Sequence, residues 1–290
     1  MDLFLNLVAS GLVIGSIYGI IAIAFAIIFK TTGVLNFAQG EVMMLVAYTS
    51  WSLATSLALP FWLLVPVTIL AAALIGVVIE FVFIRPMSGQ PVFSIVMVTI
   101  GLAITLRSLI IMIWGPDAAP FDASVEGGLI EIGPVVLFTE QLFALLLFCA
   151  VSAAVYLFFR FTRIGIAMRA TAMDETSALL MGVDVRRISS LAWAIAAVVS
   201  GLAGVAFAVM FARAPDMWFQ GLQSFPAAIL GGLDSPLGSG AGGLIIGVIA
   251  ALSEGYIGHG LKEISGFIVI IIVLMIRPYG LFGEKELERV

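Results

Sequence analysis

Long apolar stretches, separated by short breaks that contain glycine, proline or charged residues, make up most of the chain. Each stretch approaches the roughly 20 residues that a helix needs to cross a bilayer. Only helices satisfy every backbone polar group inside lipid over such lengths, and no series of alternating strands is visible. The pattern therefore predicts an all-α, polytopic membrane protein with about eight transmembrane helices plus one short or broken helix. The apolar stretches are 8–29, 41–59, 61–83, 94–114, 135–159, 190–213, 241–257 and 264–276.

Composition supports the same class of protein. Hydrophobic residues make up 62% of the 290 residues and charged residues 11%, with a mean hydropathy of +1.21. A soluble domain has roughly 45–50% apolar and about 25% charged residues. We expect one transmembrane domain over residues 1–290, because this length is near the upper size of a single core. The first apolar stretch lacks the basic start and the cleavage site of a signal peptide, so it is expected to remain as a span.

The distribution of lysine and arginine predicts the orientation of a multi-pass protein in the cell membrane. Segment 160–189 contains five arginines and is predicted to be cytoplasmic, whereas segment 115–134 contains four acids and no basic residue and is predicted to be external. Arg277, Lys285 and Arg289 place the C-terminus inside.

An inside C-terminus requires one crossing more than the long stretches provide. After 190–213 leaves the cytoplasm, an odd number of crossings is needed, yet only 241–257 and 264–276 remain. We therefore predict a half-length or broken helix at Leu222–Gly231, followed by a cytoplasmic turn at Gly231–Gly240. Transporters place discontinuous helices where the backbone lines a substrate path. An external C-terminal tail is the alternative.

The chain lacks the motifs of common catalytic and nucleotide sites. It contains no GxxxxGK[ST] loop for nucleotide phosphates, and no HExxH, CxxC or GxSxG motif. Cys149 is the single cysteine, and His259, the single histidine, lies in a predicted external loop beside Lys262 and Glu263. We expect no enzyme activity, metal or other cofactor. A solvated loop position is the simple interpretation of His259, and contact with a substrate or partner is the alternative.

Charged residues inside the spans are candidates for function, because a charge within lipid is costly. Glu80 is expected to pair with Arg85 near the inner end of the third stretch. Arg107 lies two turns from the outer end of the fourth stretch. It can extend outward to the interface, or pair inside the protein with Glu41 or Glu254.

Residues 35–41, which read LNFAQGE, interrupt the end of the first hydrophobic stretch. Gly33 and Gly40 flank this polar turn at what should be membrane depth, which indicates irregular backbone lining a cavity. A plain cytoplasmic turn is the alternative. Few other polar groups accompany it, which suits a solute with an apolar side chain whose charged head is held by helix ends. The residues predicted to line a translocation path are Asn36, Phe37, Gln39, Glu41 and Arg107.

A second motif starts at Gly165 with GIAMRA and ends with MGV at 181–183. Good helix formers over Ala167–Met181 and a natural stop at Gly182 predict one short cytoplasmic helix. Its small residues and flanking arginines suit a groove on a partner protein. An amphipathic helix lying on the bilayer is the alternative. The candidate contact residues are Gly165, Ala167, Arg169, Ala170, Ala178 and Gly182.

Glycines recur every four residues at Gly11, Gly15 and Gly19, and again at Gly243 and Gly247. Small residues at this spacing allow close packing between transmembrane helices. Sliding of the helices during transport is compatible with the same pattern.

Together the two motifs resemble those of permease subunits of ATP-binding-cassette importers of the high-affinity branched-chain amino acid family. The resemblance covers essentially the whole chain, including GGLDSPLG at 231–238 and RPYGLFG at 277–283. It implies a path for branched-chain amino acids or related small solutes, which an extracytoplasmic binding protein delivers. The implied partners are a homologous second permease subunit, two cytoplasmic ATPase subunits, the binding protein and membrane lipid, but no nucleic acid. The contact residues of the second motif would then form the ATPase-coupling region.

A stand-alone channel or facilitator is the alternative function. A membrane enzyme or a structural membrane protein is a further one, although an enzyme needs polar residues clustered at one depth. Members of the resembling family transport branched-chain or other amino acids, amides or urea, so the residues leave the substrate open.

Overall fold

The computed structural model describes residues 2–57, 60–121, 128–132, 135–258 and 260–283, and it is almost entirely helical. A π-helical turn, Glu80–Ile84, and a 3₁₀ turn, Arg85–Met87, extend the third helix. The helices are α1 Asp2–Thr32, α2 Gln39–Leu57, α3 Phe61–Ile79, α4 Val92–Trp114, α5 Thr139–Phe161, α6 Arg163–Met173, α7 Glu175–Leu180, α8 Val185–Phe211, α9 Trp218–Gly231, α10 Pro236–Tyr256 and α11 Leu261–Ile276.

Six helices in this part of the chain are long and apolar enough to cross a membrane. The remaining candidates for crossings are shorter: α2 has 19 residues, α9 has 14 and α11 has 16. The predicted all-α polytopic class is confirmed. The six long spans are Asp2–Thr32, Trp62–Met87, Val92–Trp114, Thr139–Phe161, Val185–Phe211 and Pro236–Tyr256.

One predicted boundary is wrong. The apolar stretch 135–159 does not begin as a helix, because its first residues form β2, Val135–Phe138, which pairs antiparallel with β1, Leu129–Ile132. The pairing places Leu129 opposite Phe138 and Ile132 opposite Val135. Hydrophobicity alone did not separate these few strand residues from the helix that follows, since a short apolar run suits both.

Helix α1 is the centre of the bundle. Every residue from Gly15 to Ile28 is buried, which is unusual for a helix in lipid and means that protein surrounds it. Its glycines face α10: a side chain added at Gly243 would meet the backbone of Gly19, and one added at Gly15 would lie 2.8 Å from the carbonyl oxygen of Gly243. The predicted close helix packing is therefore present, because only glycine lets the two backbones approach so far.

The predicted short helix in the last third of the chain is α9, which begins four residues earlier than expected, at Trp218. Its end lies beside the end of α1, since the Lys30 ammonium donates to the Asp234 carbonyl oxygen at 2.8 Å. The backbone N–H of Leu281 donates to the Leu230 carbonyl at 2.8 Å. The end of α9, the turn after it and the chain near Leu281 therefore share the predicted cytoplasmic end. Residues 285 and 289, and likewise His259, lie outside the described residues.

The second motif forms two helices, α6 and α7, so the prediction of one helix over Ala167–Met181 is wrong. Asp174 lies between them in an extended conformation, and its carboxylate accepts from the N–H groups of Thr176 and Ser177. An aspartate that caps a new helix in this way competes with continuation of the old one. Gly182 has a φ of +85°, as expected of the residue that ends a helix.

Hydrogen bonds also affect the charge of this cap. The Ser177 hydroxyl and N–H donate to Asp174, which lowers the pKa of its carboxyl below the ordinary value. Because the pKa of Asp174 is lower in the folded protein, the ionised carboxylate stabilises the folded state, and this contribution is present at pH values above the ordinary pKa of an aspartate. It is lost as the pH falls through the lowered value.

Candidate functional site

The segment between α1 and α2 is irregular and buried, as the LNFAQGE motif predicted. The Asn36 carboxamide oxygen accepts from the Ala38 N–H at 3.0 Å, and its amide nitrogen donates to the Gln39 side chain at 2.7 Å. The Gln39 amide donates to the Ala196 carbonyl at 3.2 Å. The two amides are thus engaged in holding the break against α8. Each of them forms a hydrogen bond with a backbone group, of Ala38 or Ala196, and neither borders the cavity described below.

Glu41 lies in the first turn of α2 and forms an ion pair with Arg107 on α4. Only 3% of the Glu41 side chain and 30% of the Arg107 side chain are exposed. Of the alternatives open for Arg107, the structure contains the protein-facing pair with Glu41. Glu254 instead pairs with Lys262, its carboxylate oxygen lying 3.8 Å from the ammonium nitrogen.

The indole of Trp218 covers this ion pair. The guanidinium carbon of Arg107 lies 3.4 Å from the centre of the Trp218 ring, which adds a cation–π contact to the pair with Glu41. Arg107 Nε is buried and has no hydrogen-bond partner among the described residues. An unpaired N–H beside a cavity is a donor that a solute can engage.

A cavity of about 190 Å³ lies next to the pair, between α1, α2, α4 and α9, and we call it the central cavity. Its walls are apolar except for Glu41 and Arg107. Of the five predicted path residues, Phe37, Glu41 and Arg107 line it, whereas Asn36 and Gln39 do not. The lining residues are Phe25, Phe37, Gly40, Glu41, Ile100, Ala103, Ile104, Arg107, Trp218, Gly221, Leu222 and Phe225.

Two glycines allow α9 to reach this site. A side chain on Gly221 would collide with the Cα atom of Gly40, and one on Gly40 would collide with the Trp218 carbonyl oxygen, so α2 and α9 cross in direct backbone contact. Phe225, one turn further along α9, packs its ring 5.4 Å from that of Phe37. The short helix therefore closes one wall of the central cavity.

A second cavity of about 280 Å³ opens at the predicted external end, between α1, α8, α9 and α11, and we call it the outer cavity. It combines an aliphatic and aromatic wall with one acid and one base, Asp216 and Lys262. Behind it the Tyr18 hydroxyl donates to the Gln223 side chain. The lining residues are Ile14, Ile17, Tyr18, Phe207, Phe211, Ala212, Ala214, Asp216, Gln220 and Lys262.

Sequence reasoning missed Asp216, Gln220 and Lys262 as site residues. Asp216 lies in the loop before α9 and Lys262 in the first turn of α11, so no local motif joins them. Lys262 also lines an adjoining opening of about 480 Å³, together with Glu254. The only available signal was the presence of charged residues at the outer ends of late helices.

At the opposite end, a cavity of about 890 Å³ lies between the end of α1 and the second motif. Gly33 and Val34, just before the LNFAQGE break, line it with Asp174 and Leu179 of the second motif. Glu80 also borders it, and the predicted pair with Arg85 is present at 2.8 Å, joining the first residue of the π-helical turn to the first residue of the 3₁₀ turn. The local prediction for this pair is confirmed.

The predicted contact residues of the second motif do not share one surface. Gly165 and Ala178 are buried, and a side chain at Gly165 would collide with the Phe158 carbonyl at the end of α5. Ala167 is half-buried, whereas Arg169, Ala170 and Gly182 are exposed. The outward surface also contains exposed apolar side chains that were not among the predicted contact residues: Met173, Leu179, Leu180 and Met181.

Nearly the whole chain is similar to known proteins. Residues 7–276 match the model of the family described as branched-chain amino acid transport system / permease component. The chain is 31% identical to the high-affinity branched-chain amino acid transport system permease protein LivH of Escherichia coli K12, over 99% of this chain and 98% of that protein. It is 30% identical, over the same shares, to the corresponding permease protein BraD of Pseudomonas aeruginosa.

Proposed function

Because the chain belongs to the family of permease components of branched-chain amino acid transport systems, we propose that it forms the translocation path of an ATP-binding-cassette importer for branched-chain amino acids or related small solutes. It is a transport permease of the cell membrane and not an enzyme. Its importer class works with ATPase and binding-protein components. We propose further that residues 1–290 form one transmembrane domain. It would assemble with a homologous second permease, two cytoplasmic ATPase subunits and an extracytoplasmic binding protein.

One observation carries the assignment of the path: the ion pair of Glu41 and Arg107 borders an apolar cavity where α2 and the short helix α9 cross. Ionisable groups inside membrane helices are costly, and they commonly mark substrate pathways. Short or broken helices likewise accompany transporter binding sites. Both features meet at this cavity, so we place the path along Phe37, Glu41 and Arg107. We assign Asn36 and Gln39 to holding its irregular wall.

The outer cavity supports an amino acid as the solute. A zwitterion carries an ammonium group that suits Asp216 and a carboxylate that suits Lys262. Its aliphatic side chain suits the wall formed by Ile14, Ile17 and Phe207. Urea or a neutral amide offers neither charge, so this cavity favours an amino acid over both. Its volume lies just below the roughly 300–1,000 Å³ of sites for drug-sized ligands, as a smaller solute requires.

ATP must act from outside the chain, because the nucleotide-binding motif is missing from the sequence. We propose that the ATPase subunits contact α6 and α7. Exposed Ala170 and Gly182, with the apolar side chains of Met173, Leu180 and Met181, supply an outward surface for this contact. Buried Gly165 and Ala178 act on the position of the two helices within the chain.

The test is uptake of labelled leucine into proteoliposomes that contain the complete importer, with ATP inside and binding protein outside. We expect uptake to require both and to fall roughly tenfold or more in Arg107→Gln, since the buried Glu41 then has no cation. Arg187→Gln removes an exposed arginine that pairs with Asp184 and serves as the control. Rapid leucine flux through the isolated chain without ATPase subunits would instead identify a channel.

A further inference from the structure

A groove with a cationic rim lies at the predicted cytoplasmic end, apart from both transport cavities. It has a volume of about 340 Å³ and lies between the end of α1, the end of α5, α6 and the start of α10. It is lined by Lys30 from α1, Arg160 from α5 and Arg169 from α6. We call it the basic groove.

The cations of the basic groove retain hydrogen-bonding capacity. Neither Arg160 nor Arg169 forms an ion pair among the described residues, and Lys30 donates one hydrogen bond to the Asp234 carbonyl out of three that an ammonium can make. The Arg160 guanidinium donates one hydrogen bond to the Tyr156 hydroxyl and lies 5.5 Å from the centre of the Tyr156 ring, and it has four further N–H groups. Asp234 also lines the groove and contributes one negative charge against these three positive ones.

Apolar residues form the other wall of the basic groove. Tyr156, Phe159 and Leu237 line it, and the exposed surface of α5 continues from there through Leu157, which is 52% exposed. A ligand that fits both walls has an anionic head and a hydrocarbon chain. Basic pockets between transmembrane helices on the cytoplasmic side bind the head groups of anionic lipids.

We propose that the basic groove binds an anionic phospholipid, with the phosphodiester against Arg160, Arg169 and Lys30 and an acyl chain along α5. Inorganic phosphate offers the same oxygen acceptors to the arginines but leaves the apolar wall uncovered. Arg169 then serves the lipid site and does not contact the ATPase, although it belongs to the second motif. The site anchors α6, the helix that leads into the proposed coupling surface, to the membrane beside α5.

The experiment measures how much phosphatidylglycerol the purified importer retains after delipidation and re-exposure to vesicles of phosphatidylcholine with added phosphatidylglycerol. In the double variant Arg160→Gln/Arg169→Gln we expect retention to weaken by roughly tenfold for each arginine, since a hydrogen bond to a charged group contributes about that factor. Arg163→Gln is the matched control, because Arg163 is exposed on the same helix and does not line the groove. Arg160→Lys/Arg169→Lys keeps the charge and should restore part of the retention.

Three outcomes would overturn the proposal. Equal retention of phosphatidylglycerol by wild type and the double glutamine variant would show that the groove does not bind lipid. Displacement of the lipid by inorganic phosphate alone would make free phosphate the ligand. Loss of the ATPase subunits from the double variant, with lipid retention unchanged, would make the groove a protein-docking surface. Leucine transport is not a readout in any of these arms, so failure here is distinct from failure of the proposed function.

Discussion

The Arg107 guanidinium lies 3.4 Å from the centre of the Trp218 ring, so a residue in the middle of a long span is in contact with the first residue of a short one. The opposite end of the short helix α9 accepts a hydrogen bond from Leu281 at the Leu230 carbonyl. Helix α9 thus connects the ion pair at the central cavity with the C-terminal segment at the predicted cytoplasmic end. A displacement of α9 would change both contacts together.

The ion pair itself can be tested by a double-mutant cycle. Arg107→Gln should lower the thermal stability of the detergent-solubilised importer, because it leaves the buried Glu41 carboxylate unpaired at a cost of about 3–5 kcal/mol. Glu41→Gln should lower it less, because the Arg107 side chain is 30% exposed and keeps its contact with Trp218. The double variant should be more stable than the sum of the single effects predicts. The measurement is the unfolding midpoint, followed by tryptophan fluorescence. Strict additivity of the two single effects would mean that the pair contributes nothing.

The outer cavity predicts that charge on the solute matters. Asp216→Asn and Lys262→Gln should each raise the KM for uptake from the leucine-loaded binding protein, because the ammonium or the carboxylate of the zwitterion loses its counter-charge. We expect roughly tenfold for each, the equivalent of about 1.4 kcal/mol. The measurement is uptake as a function of the concentration of loaded binding protein. Glu140→Gln, at the start of α5 and away from this cavity, is the control. An unchanged KM in both variants would place the solute elsewhere.

The contact between α1 and α10 predicts a steric effect with a built-in comparison. Gly243→Ala should reduce the amount of folded protein in the membrane, since the added methyl group meets the backbone of Gly19. Gly101→Ala on α4 should have little effect or a small stabilising one, because nothing lies within 4 Å of the added carbon. Membrane yield and the unfolding midpoint of each variant decide this. Equal yields would indicate that the two helices separate at low cost.

The exposed and buried alanines of the second motif should behave differently. Ala170→Trp should leave the chain folded but reduce binding-protein-stimulated ATP hydrolysis, because it lies on the outward surface of α6. Ala178→Trp should reduce the folded yield, because Ala178 is only 5% exposed and there is no room for the ring. The two quantities are measured on the same preparations. Normal stimulated hydrolysis in Ala170→Trp would move the contact to the turn at 231–240.

Sequence alone determined the features that depend on neighbouring residues. Hydrophobic stretches identified the spans, because a helix in lipid must present apolar side chains on every exposed face. The same holds for the glycine-lined packing of α1, the stop at Gly182 and the pair of Glu80 with Arg85, which lie five positions apart. A short helix near Leu222–Gly231 was also predicted from charge and parity, and α9 is that helix.

Tertiary structure decided which distant residues meet. The pair of Glu41 and Arg107 joins positions 66 residues apart, and the pattern offered Glu254 as an equal partner. Asp216, in the loop before α9, and Lys262, on α11, line the same cavity. Ala178 is buried, although the sequence pattern placed it among the residues that contact a partner. The physical reason is that a span's hydrophobic pattern specifies a helix but not which of its faces packs on which neighbour. In lipid both the packed and the exposed faces are apolar, so that choice is made by shape and by a few buried polar contacts.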